Sequence, residues 1–303
     1  MAKSRATFCC SGRYKILETI VVRILCNKNN YMPRENDRHI TLPKWLDDLL
    51  FNKLSASYCR KNKDLIVLDW GHKEILGYLG TYFPRSFAES YYIFSKYLTD
   101  NRQKYLNKSE LSVFDFGCGT GGELIGFITA VSEQLPSVKH IDIRALDGNV
   151  HALRMLECIL ENISQRFEIS FDSHLMPIVI DDFYDMGIVT DIITQLFDFV
   201  ISFKAICEFV TRQQFDEQNP YEHIINVFSP KLKSNGIICL ADVTSYSEVS
   251  NDWLPKMLDK ASNACNVEIL CRNCGFNEEY HITHSHHTND TSKIAWRIFK
   301  IKN

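Results

Sequence analysis

Val113-Phe114-Asp115-Phe116-Gly117-Cys118-Gly119-Thr120-Gly121-Gly122-Glu123 is the stretch on which the reading of the chain turns. Val113 to Phe116 are strand formers. The glycines permit positive φ and allow a ligand to approach the backbone closely. Gly122 to Val131 continue as an apolar-rich helix whose N-terminus points at whatever the loop holds. Gly117, Gly119 and Gly122 also satisfy the G-x-G-x-x-G spacing of dinucleotide sites. Asp115, two residues before the first glycine, separates the alternatives. A carboxylate there repels a pyrophosphate but not a cationic amino-acid head group.

Working outward from that stretch, apolar strands alternate with helices. Strands are predicted to end at Asp115 and Asp147, to lie near Pro177 to Ile180, and to run over Phe197 to Phe203 and Gly236 to Ala241. Helices are predicted over about 121–135, 149–163, 219–229 and 252–263. Such alternation indicates a parallel, doubly wound sheet. The end of the chain breaks the pattern. Tyr280 to His286 and Lys293 to Lys300 read as a hairpin joined by Thr288-Asn289-Asp290-Thr291. The expected fold is therefore α/β: a doubly wound, mostly parallel, seven-stranded Rossmann-like sheet with a C-terminal antiparallel hairpin and an N-terminal helical extension.

Asp115-x-Gly117-x-Gly119-x-Gly121 resembles motif I of the class I S-adenosylmethionine (SAM) methyltransferases, and the resemblance covers about residues 84–303. It implies SAM as cofactor, held by Asp115, Gly117, Cys118, Gly119 and Gly121. Asp147, with Gly148 beside it, closes the second strand, where an acid accepts ribose hydroxyls in nucleotide-binding sheets. The resemblance further implies that Asp181 or Asp182 meets the adenine amino group, with Phe183 against the ring. Ser202, Lys204, Cys207 and Glu208 follow the fourth strand and are expected to face the transferred methyl. Lys204 and Glu208 are the candidate catalytic bases. Arg85, after Pro84 and before a helix, is a candidate for the SAM carboxylate. The segment from Tyr78 through Tyr82-Phe83-Pro84-Arg85-Ser86-Phe87 to Tyr97 is similar to the small-ribosomal-subunit methyltransferase-like family of mitochondria and bacteria.

The chain has 303 residues, 45% apolar and 23% charged, an ordinary globular composition. No run of about 18 apolar residues suggests a membrane span. The 11 cysteines are scattered and odd in number, which favours free thiols and a cytoplasmic location over a disulfide framework. Charge is uneven: residues 1–63 hold 13 Lys/Arg against 5 Asp/Glu, while the whole chain is −3. A basic segment on an acidic domain suggests a polyanion, with RNA as the candidate. Residues 1–83 are expected to form a helical, basic substrate-recognition extension, with a helix over about 13–27, and 84–303 the methyltransferase domain. Cys271-x-x-Cys274 with His281, His284, His286 and His287 has the look of a metal knuckle. One knuckle without a second ligand pair leaves the expectation at no metal.

No Asn/Asp-Pro-Pro-aromatic follows the fourth strand, which speaks against amino-methylating DNA and glutamine enzymes. No Pro-Cys stands there either, which speaks against a cytosine-C5 enzyme. The expected function is SAM-dependent methyl transfer to an acceptor, with RNA a candidate. The alternatives are a small-molecule methyltransferase and a SAM-binding assembly factor without catalysis.

Overall fold

The structure, a computed structural model, describes residues 38–59, 70–243, 246–247, 251–273 and 279–302. The expected helix over 13–27 and Cys274 of the knuckle lie outside these residues. In chain order the elements begin with β1 (His39–Thr41), α1 (Lys44–Asp47, running into a π-helical turn over Asp48–Lys53), α2 (His72–Thr81) and α3 (Phe83–Asn101). The alternating part follows: β2 (Glu110–Phe116), α4 (Gly122–Gln134), β3 (His140–Asp147), α5 (Val150–Ser164), β4 (Ser170–Pro177), α6 (Gly187–Ile192) and β5 (Phe197–Phe203). Then come α7 (Ile206–Phe209), α8 (Arg212–Glu217), α9 (Pro220–Phe228), β6 (Leu232–Val243), β7 (Tyr246–Ser247), β8 (Asp252–Trp253), α10 (Leu254–Ala264), β9 (Val267–Arg272), β10 (Glu279–His284) and β11 (His287–Ile301).

The main sheet is ordered β1-β10-β11-β6-β5-β2-β3-β4, with β9 also paired to β11. The β4-β3-β2-β5-β6 run is parallel throughout, and β11 lies antiparallel against β6. β2 is central because both its faces are apolar. Val113 joins the core beneath α1 to α5, while Phe114 and Phe116 join the core beneath α6 to α10. The same period-2 division sends Phe199, Ile201 and Phe203 of β5 to the first core and Val200 to the second. Strand order reverses between β2 and β5, which opens a crevice at their carboxyl ends.

Three expectations need correction. The sheet has nine strands rather than seven, because β1 and β9 add to it. The strand expected near Pro177 to Ile180 runs earlier, over Ser170–Pro177. It is an edge strand whose residues are exposed or half-buried, so it lacks the apolar run that marks its neighbours. The hairpin turns at Ser285 and His286, and Thr288 to Thr291 belong to β11. Asp290, read as a turn residue, is 1% exposed because Arg85 binds it from α3.

α3 seats against α4 through glycine. A Cβ on Gly122 would lie 2.6 Å from the Phe83 carbonyl oxygen, and one on Gly126 2.5 Å from that of Phe87. Ser90 Oγ donates to the Glu123 carbonyl at 2.6 Å across the same contact. This packing brings α3 over the glycine loop.

Candidate functional site

The loop after β2 is built from three left-handed residues, Gly117 (φ 74°), Gly119 (φ 49°) and Gly121 (φ 80°). A Cβ on Gly117 would also strike Ala205 at 2.4 Å, and one on Gly121 would strike Leu156 at 2.3 Å. The loop is pinned to β3: the amides of Gly117 and Cys118 donate to the Leu146 carbonyl at 2.9 and 3.0 Å. The Gly119 amide donates to Asp147 Oδ2 at 2.8 Å. Asp147 Oδ1 accepts from the Asn149 amide at 2.8 Å, and Asn149 caps α5. Each Asp147 oxygen keeps a further lone pair for a ligand hydroxyl.

A cavity of about 310 Å³ opens on this loop. β2 and β3 contribute the loop glycines, Asp147 and Gly148; α2, α3 and α4 contribute Tyr78, Ser86 and Glu123. Phe203, Lys204, Ala205, Glu208 and Phe209 close the opposite side, with Ile180 at the β4 end. Its volume is at the lower end of the range for small-ligand pockets.

The cavity is acidic. Its acidic lining is Glu123, Asp147 and Glu208. Asp115, expected to hold the cofactor, does not line the cavity: it is fully buried at the end of β2, and neither carboxylate oxygen has a hydrogen-bond partner. Burial, with Glu123 and Asp147 close by, holds its carboxyl well above the usual range. Burial likewise pushes Glu123 up to about 8 and raises Asp147. Glu208 keeps exposed surface where it lines the cavity, yet burial against protein and the nearby Asp242 and Asp147 push it up to about 8. An orphaned buried carboxyl such as Asp115, behind an acidic lining, fits a ligand bearing positive charge.

Lys204 is in the left-handed region at φ 58°, where a non-glycine residue is strained. Its amide donates to the Ala241 carbonyl at 2.7 Å, which joins the ends of β5 and β6. Its Nζ lies 2.7 Å from Glu89 Oε2 on α3, and these atoms are shut off from solvent. The contact is an ion pair rather than a well-aligned hydrogen bond. An ammonium held in this way does not reach the cavity as a proton acceptor.

The other sequence candidates divide. Gly117, Gly119, Asp147, Gly148 and Glu208 line the cavity. Cys118 is buried, with its thiol against the Gly119 carbonyl at 3.8 Å, so it offers the cavity backbone only. Ser202 Oγ donates to the Phe116 carbonyl at 2.9 Å and crosslinks β5 to β2. Arg85 is taken up by Asp290: Nε and Nη2 donate to its two oxygens at 2.8 and 2.7 Å. Phe183 lies in the core against Phe209 and His223, and Ile180 takes the cavity-lining place expected of it. Asp181 and Asp182 are exposed beside it, and Asp182 accepts from the Tyr184 amide at 3.0 Å.

Four residues were not legible as site residues. Tyr78 covers the loop, such that a Cβ on Gly119 would lie 3.3 Å from its hydroxyl. Glu89 and Glu123 are acids inside otherwise apolar helix faces, a signal that periodicity does carry. Asp242 ends β6 and accepts from the Cys207 amide at 3.0 Å and from Tyr221 Oη at 2.9 Å.

At the knuckle, Phe51 stacks on His284 and His286 at 5.0 and 4.2 Å between centroids. Among the described residues no group of three His, Cys, Asp or Glu side chains has the arrangement of a metal site. No described helix is long and apolar enough to cross a membrane.

The parallel β4-β3-β2-β5-β6 run closed by antiparallel β11 is a Rossmann-like architecture with a C-terminal antiparallel strand. No family profile matches the sequence, and no curated protein does. Among solved structures the chain is similar to a candidate RNA methyltransferase of Pyrococcus horikoshii, 13% identical over 84% of this chain and 98% of that one, with a TM-score of 0.43. It is similar to precorrin-6y C5,15-methyltransferase of Geobacter metallireducens at 17% identity, covering 68% and 88%, with a TM-score of 0.36. A SAM-dependent methyltransferase of Clostridium acetobutylicum is 11% identical, covering 70% and 92%, with a TM-score of 0.38.

Proposed function

We propose that the chain binds SAM in the glycine-loop cavity and transfers its methyl group to an acceptor. The observation that carries this is Asp115, fully buried with both oxygens unpartnered, beside Glu123 and Asp147. A site this acidic disfavours a pyrophosphate and suits a ligand with ammonium and sulfonium charges. The free lone pairs of Asp147 suit the ribose hydroxyls, and Asp181 or Asp182 beyond Ile180 suits the adenine end. When bound, SAM supplies a methyl carbon activated by the adjacent sulfonium. Glu208 is the carboxylate placed to remove a proton from the acceptor. Lys204, tied to Glu89, fixes the turn that carries Ala205 to Phe209.

Residues 1–83 are proposed to select the acceptor. The basic balance of residues 1–63 favours RNA as one acceptor class. The deciding experiment measures SAM and S-adenosylhomocysteine binding by calorimetry, then follows labelled methyl into RNA, protein and small-molecule fractions from cells lacking the protein. Binding and label lost together in Asp147→Ala is the expected result. Absence of binding would overturn the proposal, and binding without label in any fraction would favour the non-catalytic assembly factor.

A further inference from the structure

The cavity offers one more clue, in the sign of the charge left over once the cofactor is seated. Of its acidic lining, Asp147 has lone pairs for a ribose, and Glu123 is stabilised by a backbone hydrogen bond. Glu208 remains. The charged and titratable groups around it are Asp242 of β6, Asp147 of β3, Lys204 after β5, Tyr78 of α2 and its neighbour Cys207. Among the described residues Lys204 is the only cation lining the cavity, and its Nζ is buried against Glu89. Arg85 is committed to Asp290. A phosphate, carboxylate or sulfonate acceptor would therefore meet Glu208 with no accessible counter-charge among the described residues.

Resting on the SAM reading above, we propose that the acceptor is an aliphatic amine that enters the cavity as its ammonium, and that Glu208 takes its proton. An ammonium beside Glu208 gains a charge-assisted hydrogen bond, and its positive charge draws the carboxyl back toward ionisation. One N–H proton passes to the Glu208 carboxylate, and the freed nitrogen lone pair forms the N–C bond to the methyl. The S–C bond breaks with its electron pair going to sulfur, which leaves a neutral thioether. The methylated amine departs as a cation, and Glu208 returns its proton to water.

The test uses the full chain in two stages. S-adenosylhomocysteine affinity is measured first; no binding would end the SAM reading and this one with it. The loaded protein is then titrated with n-hexylamine, n-hexanol and hexanoate by calorimetry below pH 9, where the amine is cationic. The expected order is hexylamine tighter than hexanol by roughly tenfold, the scale of one charge-assisted hydrogen bond, with hexanoate weakest. Glu208→Gln should erase the amine preference, with a circular dichroism spectrum matching the parent's to certify its fold. Equal binding of the three probes, preference for hexanoate, failure of hexylamine to bind the loaded chain, or a preference that survives in Glu208→Gln would overturn the proposal. So would labelled methyl recovered in RNA rather than in an alkali-stable product retained on a cation exchanger.

Discussion

Asp115 stands at the centre of a conflict between stability and binding. A fully buried carboxyl without a partner destabilises the free chain, and protonation or a nearby cationic ligand relieves it. Asp115→Asn is therefore expected to leave the thermal midpoint of the free protein unchanged or higher while weakening SAM by about tenfold or more. A lower midpoint with intact affinity would refute this account. Glu123 gives a pH signature. Its folded carboxyl is raised to about 8, above its unfolded value. The stability it contributes is full below the usual glutamate range and is lost as pH rises toward and through 8. Denaturant melts of the free chain should thus show stability falling between about pH 4.5 and 8 and levelling off above it. Glu123→Gln should flatten that fall by on the order of 1 kcal/mol. At this scale the sequence was partly legible. Asp115, the glycines and Asp147 announce themselves by position in a strand-loop-helix. Arg85 does not, because its partner Asp290 is 205 residues away and no local spacing records the pair.

Packing between elements sets where the cavity walls stand. Gly126 lets α3 approach α4, and Gly126→Ala would place a methyl 2.5 Å from the Phe87 carbonyl oxygen. Overpacking of this kind costs about 1–3 kcal/mol, and chemical denaturation should register it. The displaced α3 should weaken SAM binding as well, since Ser86 and Glu89 ride on that helix. The hairpin is tied to the N-terminal elements through His284, which is 3% exposed and stacked on Phe51. Burial pushes its pKa down to about 4. A histidine depressed in this way binds fewer protons folded than unfolded, so stability declines as pH falls from about 6.5 toward 4. His284→Phe should remove that part of the acid sensitivity, read as the difference between variant and parent melts; parallel curves would refute it. The hairpin's existence was legible from alternation and its turn was not. Thr288-Asn289-Asp290-Thr291 has turn composition, and the pull of Arg85 on Asp290 draws it into β11. β4 escaped for the opposite reason, since an edge strand with polar residues carries little apolar signal.

For the whole molecule the informative quantity is the distribution of charge along the chain. Arg38–Asn303 forms one compact unit carrying the sheet and the cavity. Residues 1–37 contain 7 Lys/Arg and 3 Asp/Glu, so removing them takes away net positive charge and keeps every described lining residue of the cavity in the chain. Two consequences can be separated. If the basic segment guides a polyanion, a chain starting at Arg38 should fold, bind SAM with unchanged affinity, and lose RNA binding. The parent's log affinity for single-stranded RNA should fall with log salt by about 0.7 per phosphate contact. The truncated chain's slope should be shallower by that amount for each contact removed. If instead the acceptor is a small amine, truncation should leave both the SAM titration and the hexylamine titration unchanged, and the parent's RNA affinity should be weak and without steep salt dependence. Filter binding at two salt concentrations, on parent and truncated chains, decides between them. A steep slope that survives truncation would assign the polyanion contact to Arg38–Asn303, where the acidic cavity argues against it.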